Sequence, residues 1–260
     1  MNRLKAVLWP LGFGVAFLTV WQLGGFHAAL GLMPFQLPLP SEIADALIRT
    51  AAKTAGDAAD TLSGALAGMI LGSVLGFGVA LTAALFPRWG YGALVVVSAL
   101  NAVPIVALSP IMNRWFSDGM SQKIGVVTLV TMAAMAINAY RGLTDLKPFS
   151  LDLMQSYAAK RSIVLFHLRL PNALPSIFTA LKISVTTALI SAIVSEYFAS
   201  STTGLGFGIK DNLRKAEMAM GWAYITVASI AGIALYLIVV ALEKRFTRWH
   251  PSQRGADNPR

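Results

Sequence analysis

The 260-residue sequence contains no cysteine, and only 13% of its residues are charged. Without cysteine the chain forms neither a disulfide nor a thiolate metal site. A soluble domain carries about 25% charged residues, so the composition argues against a soluble protein. The three histidines, His27, His167 and His250, lie outside the long apolar runs. An intramembrane metalloprotease would need such ligands at membrane depth, and this class is therefore disfavoured.

Nucleotide-binding signatures are missing as well. The sequence has no G-x-x-x-x-G-K-[ST] motif, which excludes nucleotide hydrolysis with a P-loop. The glycine-rich stretch Gly204-Leu-Gly-Phe-Gly208 lacks the strand that precedes a phosphate loop. We therefore predict a transport protein rather than an enzyme, with no cofactor and no metal bound by this chain.

Long apolar segments are abundant. Runs of about 18 or more apolar residues are typical of transmembrane helices, which cross roughly 30 Å at about 1.5 Å per residue. We predict an all-α, polytopic membrane protein that forms a single transmembrane domain over residues 1–260. The six predicted spans are 6–26, 61–87, 89–113, 124–140, 173–199 and 218–242. The first could instead be a signal peptide, but its length favours a retained anchor.

The distribution of basic residues predicts the orientation in the membrane. The segments at one side, including both termini, hold 13 basic and four acidic residues, whereas the opposite segments hold seven of each. This excess predicts that both termini and residues 145–175 lie in the cytoplasm. We attribute the net charge of +9 to orientation and anionic lipid rather than to nucleic acid. Residues 251–260 are expected to form a disordered cytoplasmic tail.

Several residues within the predicted spans are candidates for a solute pathway or gate. Asn101 and Pro104 interrupt the third span, and kinked helices often line a pathway, although structural kinking alone explains them equally well. Thr187 and Ser191 lie close to one face of the fifth span, where helix–helix contacts are the commoner role. Glu196 is a candidate gate or substrate contact. The alternative for Glu196 is a carboxylate near the outer interface, paired with a lysine or a helix end.

The sequence does not favour an ion gradient as the source of energy for transport. Ion-coupled carriers usually contain buried ionisable residues and often inverted repeats, and this sequence shows little sign of either. An ATPase bound to a cytoplasmic loop would supply the energy, and residues 145–175 form a long, polar and basic loop. Two short helices meeting near Ala158 and Ala159 would present a knob to a partner. The residues expected on its buried side are Leu153, Met154, Tyr157, Val164 and Leu168. The alternative is an amphipathic helix on the lipid surface.

The loop resembles the docking loop of permease subunits of bacterial ATP-binding-cassette importers that are served by a substrate-binding protein. The family pattern is Glu-Ala-Ala, three residues, Gly, nine residues and Ile-x-Leu-Pro. Here Asp152 takes the Glu position, Ala158 takes the Gly position, and residues 168–171 read Leu-Arg-Leu-Pro. The spacing is kept while the residues differ. The flanking stretches 194–196 and 204–209 resemble the nitrate, sulfonate and taurine branch.

The resemblance implies the type I importer permease fold, a multi-pass location in the inner membrane of a bacterial cell, and three partners. They are a cytoplasmic ABC ATPase dimer that binds ATP and Mg, a second permease copy or a paralogue, and a periplasmic or lipid-anchored substrate-binding protein. It also implies a small solute such as a sulfonate, nitrate, taurine or a pyrimidine-type vitamin precursor. The residues that it assigns to ATPase docking are Asp152, Ser156, Tyr157, Ala158, Ala159, Lys160, Arg161, Leu170 and Pro171. A stand-alone carrier or channel and a membrane scaffold stay open as alternatives.

Overall fold

The computed structural model describes residues 3–116, 119–199 and 201–248, with side chains from residue 8 onward. Every regular element within these ranges is helical. The α-helices are α1 (Arg3–Gln22), α2 (Gly25–Leu30), α3 (Pro40–Arg49), α4 (Ala51–Leu85), α5 (Pro87–Ala99), α6 (Ile105–Trp115), α7 (Gly119–Thr144), α8 (Ser150–Ser156), α9 (Arg161–Val164), α10 (Leu170–Phe198), α11 (Leu205–Arg214) and α12 (Met218–Phe246). A 3₁₀ turn covers Leu100–Ala102 and a π-helical turn covers Leu165–Arg169. The predicted tail 251–260 lies outside the described residues.

Four helices in the described chain are long and apolar enough to cross a membrane by themselves. They are α4, α7, α10 with the segment that precedes it, and α12. These helices correspond to the second, fourth, fifth and sixth predicted spans. α4 ends at Leu85 and α10 at Phe198, slightly before the predicted ends, but each of the four helices continues at one end or both into charged sequence that the prediction left in loops. We call the end of the bundle that carries residues 145–169 the inner end, and the opposite end the outer end, after the predicted orientation.

The third predicted span is two helices rather than one. The chain bends by 104° between α5 and α6. Val103 between the two helices is extended, with φ −76° and ψ 121°. Pro104 follows directly, and a proline disfavours helical backbone at the residue before it. The break was expected from the sequence, whereas a turn of this size was not.

The first predicted span is also interrupted. α1 ends at Gln22, and Gly24 has φ 74° before α2 begins. Its described apolar part, Leu8–Gln22, is shorter than the roughly 20 residues that a helix needs to cross a bilayer. The described residues therefore support four spans, or five if the bent α5–α6 pair counts as one. The predicted count of six is not confirmed.

Glycines set the closest helix contact of the bundle, between α4 and α7. A Cβ atom at any of four α4 glycines would overlap α7 atoms; these glycines are Gly64, Gly68, Gly72 and Gly76. At Gly72 the overlapping atoms include the Thr131 hydroxyl and the Thr128 carbonyl oxygen. The four glycines recur every four residues, so they lie on the one face of α4 that meets α7. Small residues at such positions let two membrane helices approach each other closely.

The rest of the core is built from small side chains around that pair. α10 packs against α4 and α7 through a cluster that includes Ala80, Ala139 and Ala173, all of them buried. α12 leans against α10 through Val185 and Val239. Its opposite face stays exposed in the single chain and is strongly apolar. Such a face suits contact with lipid or with another membrane protein.

Candidate functional site

The inner-end loop consists of two short helices joined by a tight turn. α8 ends at Ser156 and α9 begins at Arg161. Ala158 between them has φ 51°, and its N–H donates to the Gln155 carbonyl at 2.8 Å. Helices commonly end in a left-handed residue of this kind, which is usually glycine. The position aligned with the glycine of the docking pattern therefore has the backbone conformation that favours glycine.

The exposure of the loop's apolar side chains differs from the prediction. Met154, Val164 and Leu168 are half-buried, as expected, whereas Leu153 and Tyr157 are 58% and 77% exposed. Placing the latter two on a buried side was wrong. α8 is only 7 residues long, and only one of its faces packs against the rest of the chain. Leu153 and Tyr157 lie away from that face and are exposed. The result is an exposed aromatic and aliphatic patch that also includes Phe149.

The predicted docking residues lie together on this loop and at the start of α10. The exposed ones are Asp152, Ser156, Tyr157, Ala158, Lys160 and Arg161, and the half-buried ones are Ala159, Leu170 and Pro171. Lys160 and Arg161 flank the turn on the side of α9. The loop thus presents cations next to exposed apolar rings. Their role in docking stays a prediction at this point.

Two side chains that the sequence did not single out attach the loop to the bundle. Arg169 Nη1 donates to the carbonyls of Ala84 and Leu143, at 3.4 Å each. Asn172 Nδ2 donates to the carbonyls of Gly142 and Asp145, at 2.9 Å each. These acceptors lie at or just beyond the last turns of α4 and α7, where helix carbonyls lack partners within the helix. The loop is therefore fixed to the inner ends of two spanning helices.

The pathway candidates Asn101 and Pro104 lie at the bend between α5 and α6. Both are exposed, as is Val103 between them. α5 has 13 residues and rises about 20 Å from the inner end, which brings the bend to membrane depth. The bend thus presents non-helical, exposed backbone at that depth.

Thr187 and Ser191 bond to their own helix. Thr187 Oγ1 donates to the Ile183 carbonyl at 2.9 Å, and Ser191 Oγ donates to the Thr187 carbonyl at 2.6 Å. Ser191 is fully buried, and Thr187 is half-buried. In the single chain Ser191 faces the helix packing rather than an open channel. A pathway role for either residue stays a prediction.

Glu196 lies in a buried polar cluster at the outer end. Its Oε1 is 2.6 Å from the Nζ of Lys123, and the two side chains are 1% and 2% exposed. Thr61 Oγ1 donates to the carboxylate at 2.9 Å, and the Gly206 N–H donates to it at 2.8 Å. Gly206 lies in the first turn of α11. This arrangement matches the alternative considered for Glu196, a carboxylate paired with a lysine and a helix end.

A second ion pair joins α10 to α12 nearer the inner end. Lys182 Nζ is 2.8 Å from Glu243 Oε2, and the side chains are 24% and 12% exposed. The last predicted span, 218–242, ended before Glu243. α12 instead continues to Phe246, which brings the carboxylate to the level of Lys182.

Comparison with known proteins identifies the family of this fold and loop. Residues 68–249 match the family described as the binding-protein-dependent transport system inner membrane component. The chain belongs to this family. It is the transmembrane subunit of an ABC importer, a class of permease subunits that work with an ATPase and a substrate-binding protein. The matched range contains α10, α12 and the whole inner-end loop.

Individual relatives are permeases for different small solutes. The formylaminopyrimidine transport permease protein ThiX of Halalkalibacterium halodurans is 26% identical over 97% of this chain and 100% of its own length. The taurine transport system permease protein TauC of Escherichia coli is 32% identical over 60% of this chain and 56% of its own length. The riboflavin transport system permease protein RibX of Chloroflexus aurantiacus is 29% identical over 64% of this chain and 62% of its own length.

The fold also resembles a solved structure. A chain of the crystal structure of an amino acid ABC transporter with histidines superposes with a TM-score of 0.62, covering 78% of this chain and 96% of that one. The identity is 15%, so the likeness concerns the fold alone.

Proposed function

We propose that the inner-end loop binds a cytoplasmic ABC ATPase and transmits its movement to the spanning helices. The observation that carries this proposal is the exposed knob at Ala158, which is anchored to α4 and α7 through Arg169 and Asn172. A surface that couples motion needs both features: access for a partner and a firm connection to the membrane helices. The ATPase would carry ATP and Mg, and this chain would bind neither.

The chemistry of the knob suits a protein partner. Phe149, Leu153 and Tyr157 are each more than half exposed, and aromatic side chains are enriched at the centres of protein interfaces. Lys160 and Arg161 beside them add positive charge, which would steer an acidic surface. The small side chain of Ala158 lets a groove of the partner approach the backbone closely.

The bend at Asn101–Pro104 supports a pathway shared with a second permease. Non-helical backbone at membrane depth is tolerated where it is covered by protein or lines a water-filled cavity, because lipid satisfies no backbone hydrogen bond. In the single chain the bend is uncovered. A second copy or a paralogue would cover it from one side, and the solute pathway would run along it. Asn101 and Pro104 are thus the pathway candidates that the structure favours most.

The substrate would be a small organic solute delivered by a substrate-binding protein at the outer end. The relatives are named for formylaminopyrimidine, taurine and riboflavin, so the family accepts chemically different cargo. The relative aligned over the full chain length is the formylaminopyrimidine permease. Either a pyrimidine-type nutrient or a sulfonate therefore fits, and the binding protein would select between them.

A stand-alone carrier is the competing function. It would need buried ionisable groups that exchange a coupling ion. In the described spans, the buried charged side chains are paired instead: Lys123 with Glu196, and Lys182 with Glu243. This pairing favours an energy source outside the chain. In this proposal the inner end and both termini face the cytoplasm, where the ATPase would bind.

The first test is purification of the tagged chain from its native membrane in a mild detergent. We expect a P-loop ATPase and a substrate-binding protein to co-purify, and the ligand of the binding protein would then identify the solute. A chain that purified alone and moved solute in liposomes without ATP would refute the importer mechanism in favour of a carrier.

A substitution tests the docking loop itself. Ala158→Glu places a large charged side chain on the knob and should reduce both the amount of bound ATPase and ATP-driven uptake. Ala216→Glu is a matched control, because Ala216 is also exposed and has φ 60° after a helix end, but at the outer end. The control should bind the ATPase as the unmodified chain does. Equal ATPase binding in both variants would contradict the docking role.

A further inference from the structure

One buried lysine connects three elements at the outer end. Lys123 Nζ is 2.6 Å from Glu196 Oε1, 3.1 Å from Asp60 Oδ2 and 3.1 Å from the Asp60 carbonyl oxygen. The lysine comes from α7, Asp60 from α4 and Glu196 from α10. A buried charge is tolerated only with a close partner of opposite sign, and here a single cation meets two carboxylates.

The same cluster holds the beginning of α11. The first N–H groups of a helix have no partner within the helix. In α11 the Gly206 N–H donates to Glu196 at 2.8 Å, and the Leu205 N–H donates to Thr61 Oγ1 at 2.8 Å. The preceding Gly204 N–H donates to Asp57 Oδ1 at 3.2 Å. Three consecutive amides are therefore bonded to side chains of α4 and α10 rather than to a local cap.

The glycine-rich motif of the sequence has its explanation at this contact. Gly204 has φ 99°, and a Cβ atom there would overlap the Glu196 carboxylate. A Cβ at Gly206 would overlap the Ile193 carbonyl oxygen of α10, and one at Gly208 would overlap the Tyr224 ring of α12. Each glycine thus permits the approach of a different neighbour, and α11 begins in direct contact with the spanning helices.

We propose that Lys123 and Glu196 are positioning residues that make α11 move together with α4, α7 and α10. The proposal rests on the importer function above. The end of α11 is exposed, from Leu213 to the turn at Ala216 and Glu217. A protein that docks on the outer surface meets this exposed end, and the buried cluster transmits the contact to the transport helices. We name this set of groups the outer cluster: Asp57, Asp60, Thr61, Lys123, Glu196 and the amides of residues 204–206.

The geometry predicts unequal effects for its two central residues. Glu196→Gln removes one carboxylate, but Lys123 keeps its partner Asp60, and the glutamine oxygen can still accept the Gly206 N–H. Lys123→Met removes the cation and leaves Glu196 buried without a positive partner. We therefore expect the lysine variant to be the more damaging. The double variant Lys123→Met/Glu196→Gln removes both charges and should recover part of the loss, because neutral replacement of a whole buried pair is often tolerated.

The test uses the complete importer in liposomes, with its ATPase and binding protein. The readouts are the ATPase rate without and with the loaded binding protein, and solute uptake. In Lys123→Met the stimulation by the binding protein should fall by about fivefold or more while the basal rate changes by less than about twofold, as expected for lost coupling between sites. Glu196→Gln should show a smaller loss of stimulation. The control Lys182→Met breaks the other ion pair of α10 and should keep the stimulation.

Four results would overturn the proposal or its premise. Normal stimulation in Lys123→Met would refute coupling through the outer cluster. An equal loss of stimulation in Lys182→Met would show that breaking any ion pair of α10 has this effect. A wild-type complex without ATP-driven uptake would instead refute the importer function. If Lys123→Met does not assemble, Thr61→Val tests the same contact without changing charge. This substitution removes the hydroxyl that links Glu196 to the Leu205 N–H. Unchanged stimulation in Thr61→Val would refute the proposal.

Discussion

The anchor at Arg169 provides a quantitative test of how the loop is held. Arg169→Met keeps the aliphatic stem and removes the two hydrogen bonds to the carbonyls of Ala84 and Leu143. Hydrogen bonds from charged donors contribute about 1.5–3 kcal/mol each. The two 3.4 Å distances are long for hydrogen bonds, so we take values at or below the weak end of that range, about 2–3 kcal/mol for the pair. Detachment of the loop should then become roughly 30- to 140-fold more frequent.

Hydrogen exchange measures this detachment directly. In the purified chain, amides of α9 and of the π-helical turn should exchange faster in Arg169→Met by that factor, while amides in the middle of α7 stay unchanged. Arg88→Met is the control, because Arg88 is an exposed inner-end cation at the start of α5. If exchange in the loop of Arg169→Met matched that of the control, the loop would be held by other contacts and our argument about the anchor would fail.

Two further substitutions test the backbone geometry. Gly72→Ala should lower the stability of the purified chain by about 1–3 kcal/mol, because the new methyl overlaps Thr131 and overpacking has this cost; Gly78→Ala on the same helix meets no neighbouring atom and should leave the melting temperature unchanged or raise it. Ala158→Gly should relieve the left-handed strain, stabilise the loop by up to about 1 kcal/mol and preserve ATP-driven uptake; reduced uptake would contradict the docking alignment.

The spans of α4 and α12 were predictable because long uncharged runs are typical of helices within the hydrocarbon core. The ends of these helices were not predictable, since each charged residue was taken as the end of a helix. Asp57 and Asp60 lie inside α4, and Glu243 lies inside α12. Each of these carboxylates has a partner from a distant part of the chain. A sequence shows the charge but not the partner, so it cannot show that the helix continues.

The outer cluster illustrates the same limit for function. Glu196 was recognised as unusual because it interrupts an apolar run, and pairing with a lysine or a helix end was the alternative considered. Lys123 was assigned to an outer loop, because nothing local distinguishes it from an orientation-setting cation. Its role depends on Asp60 and Glu196 meeting across three helices. For Arg169 the only signal was its place in the loop pattern, within the final Leu-Arg-Leu-Pro.

α10 is the element on which these observations converge. α10 continues directly from the inner-end loop through the π-helical turn. Lys182 pairs with α12, and Glu196 pairs with α7, about 21 Å further along the helix. Breaking a buried ion pair by removing one partner costs about 3–5 kcal/mol, so rotation of α10 alone would be expensive. A softer point of the described chain is the bend near Pro104, where α5 and α6 are not one continuous helix. Movement at the loop would therefore carry α10, α7 and α4 as one body against the α5–α6 bend, which is where we expect the pathway to open.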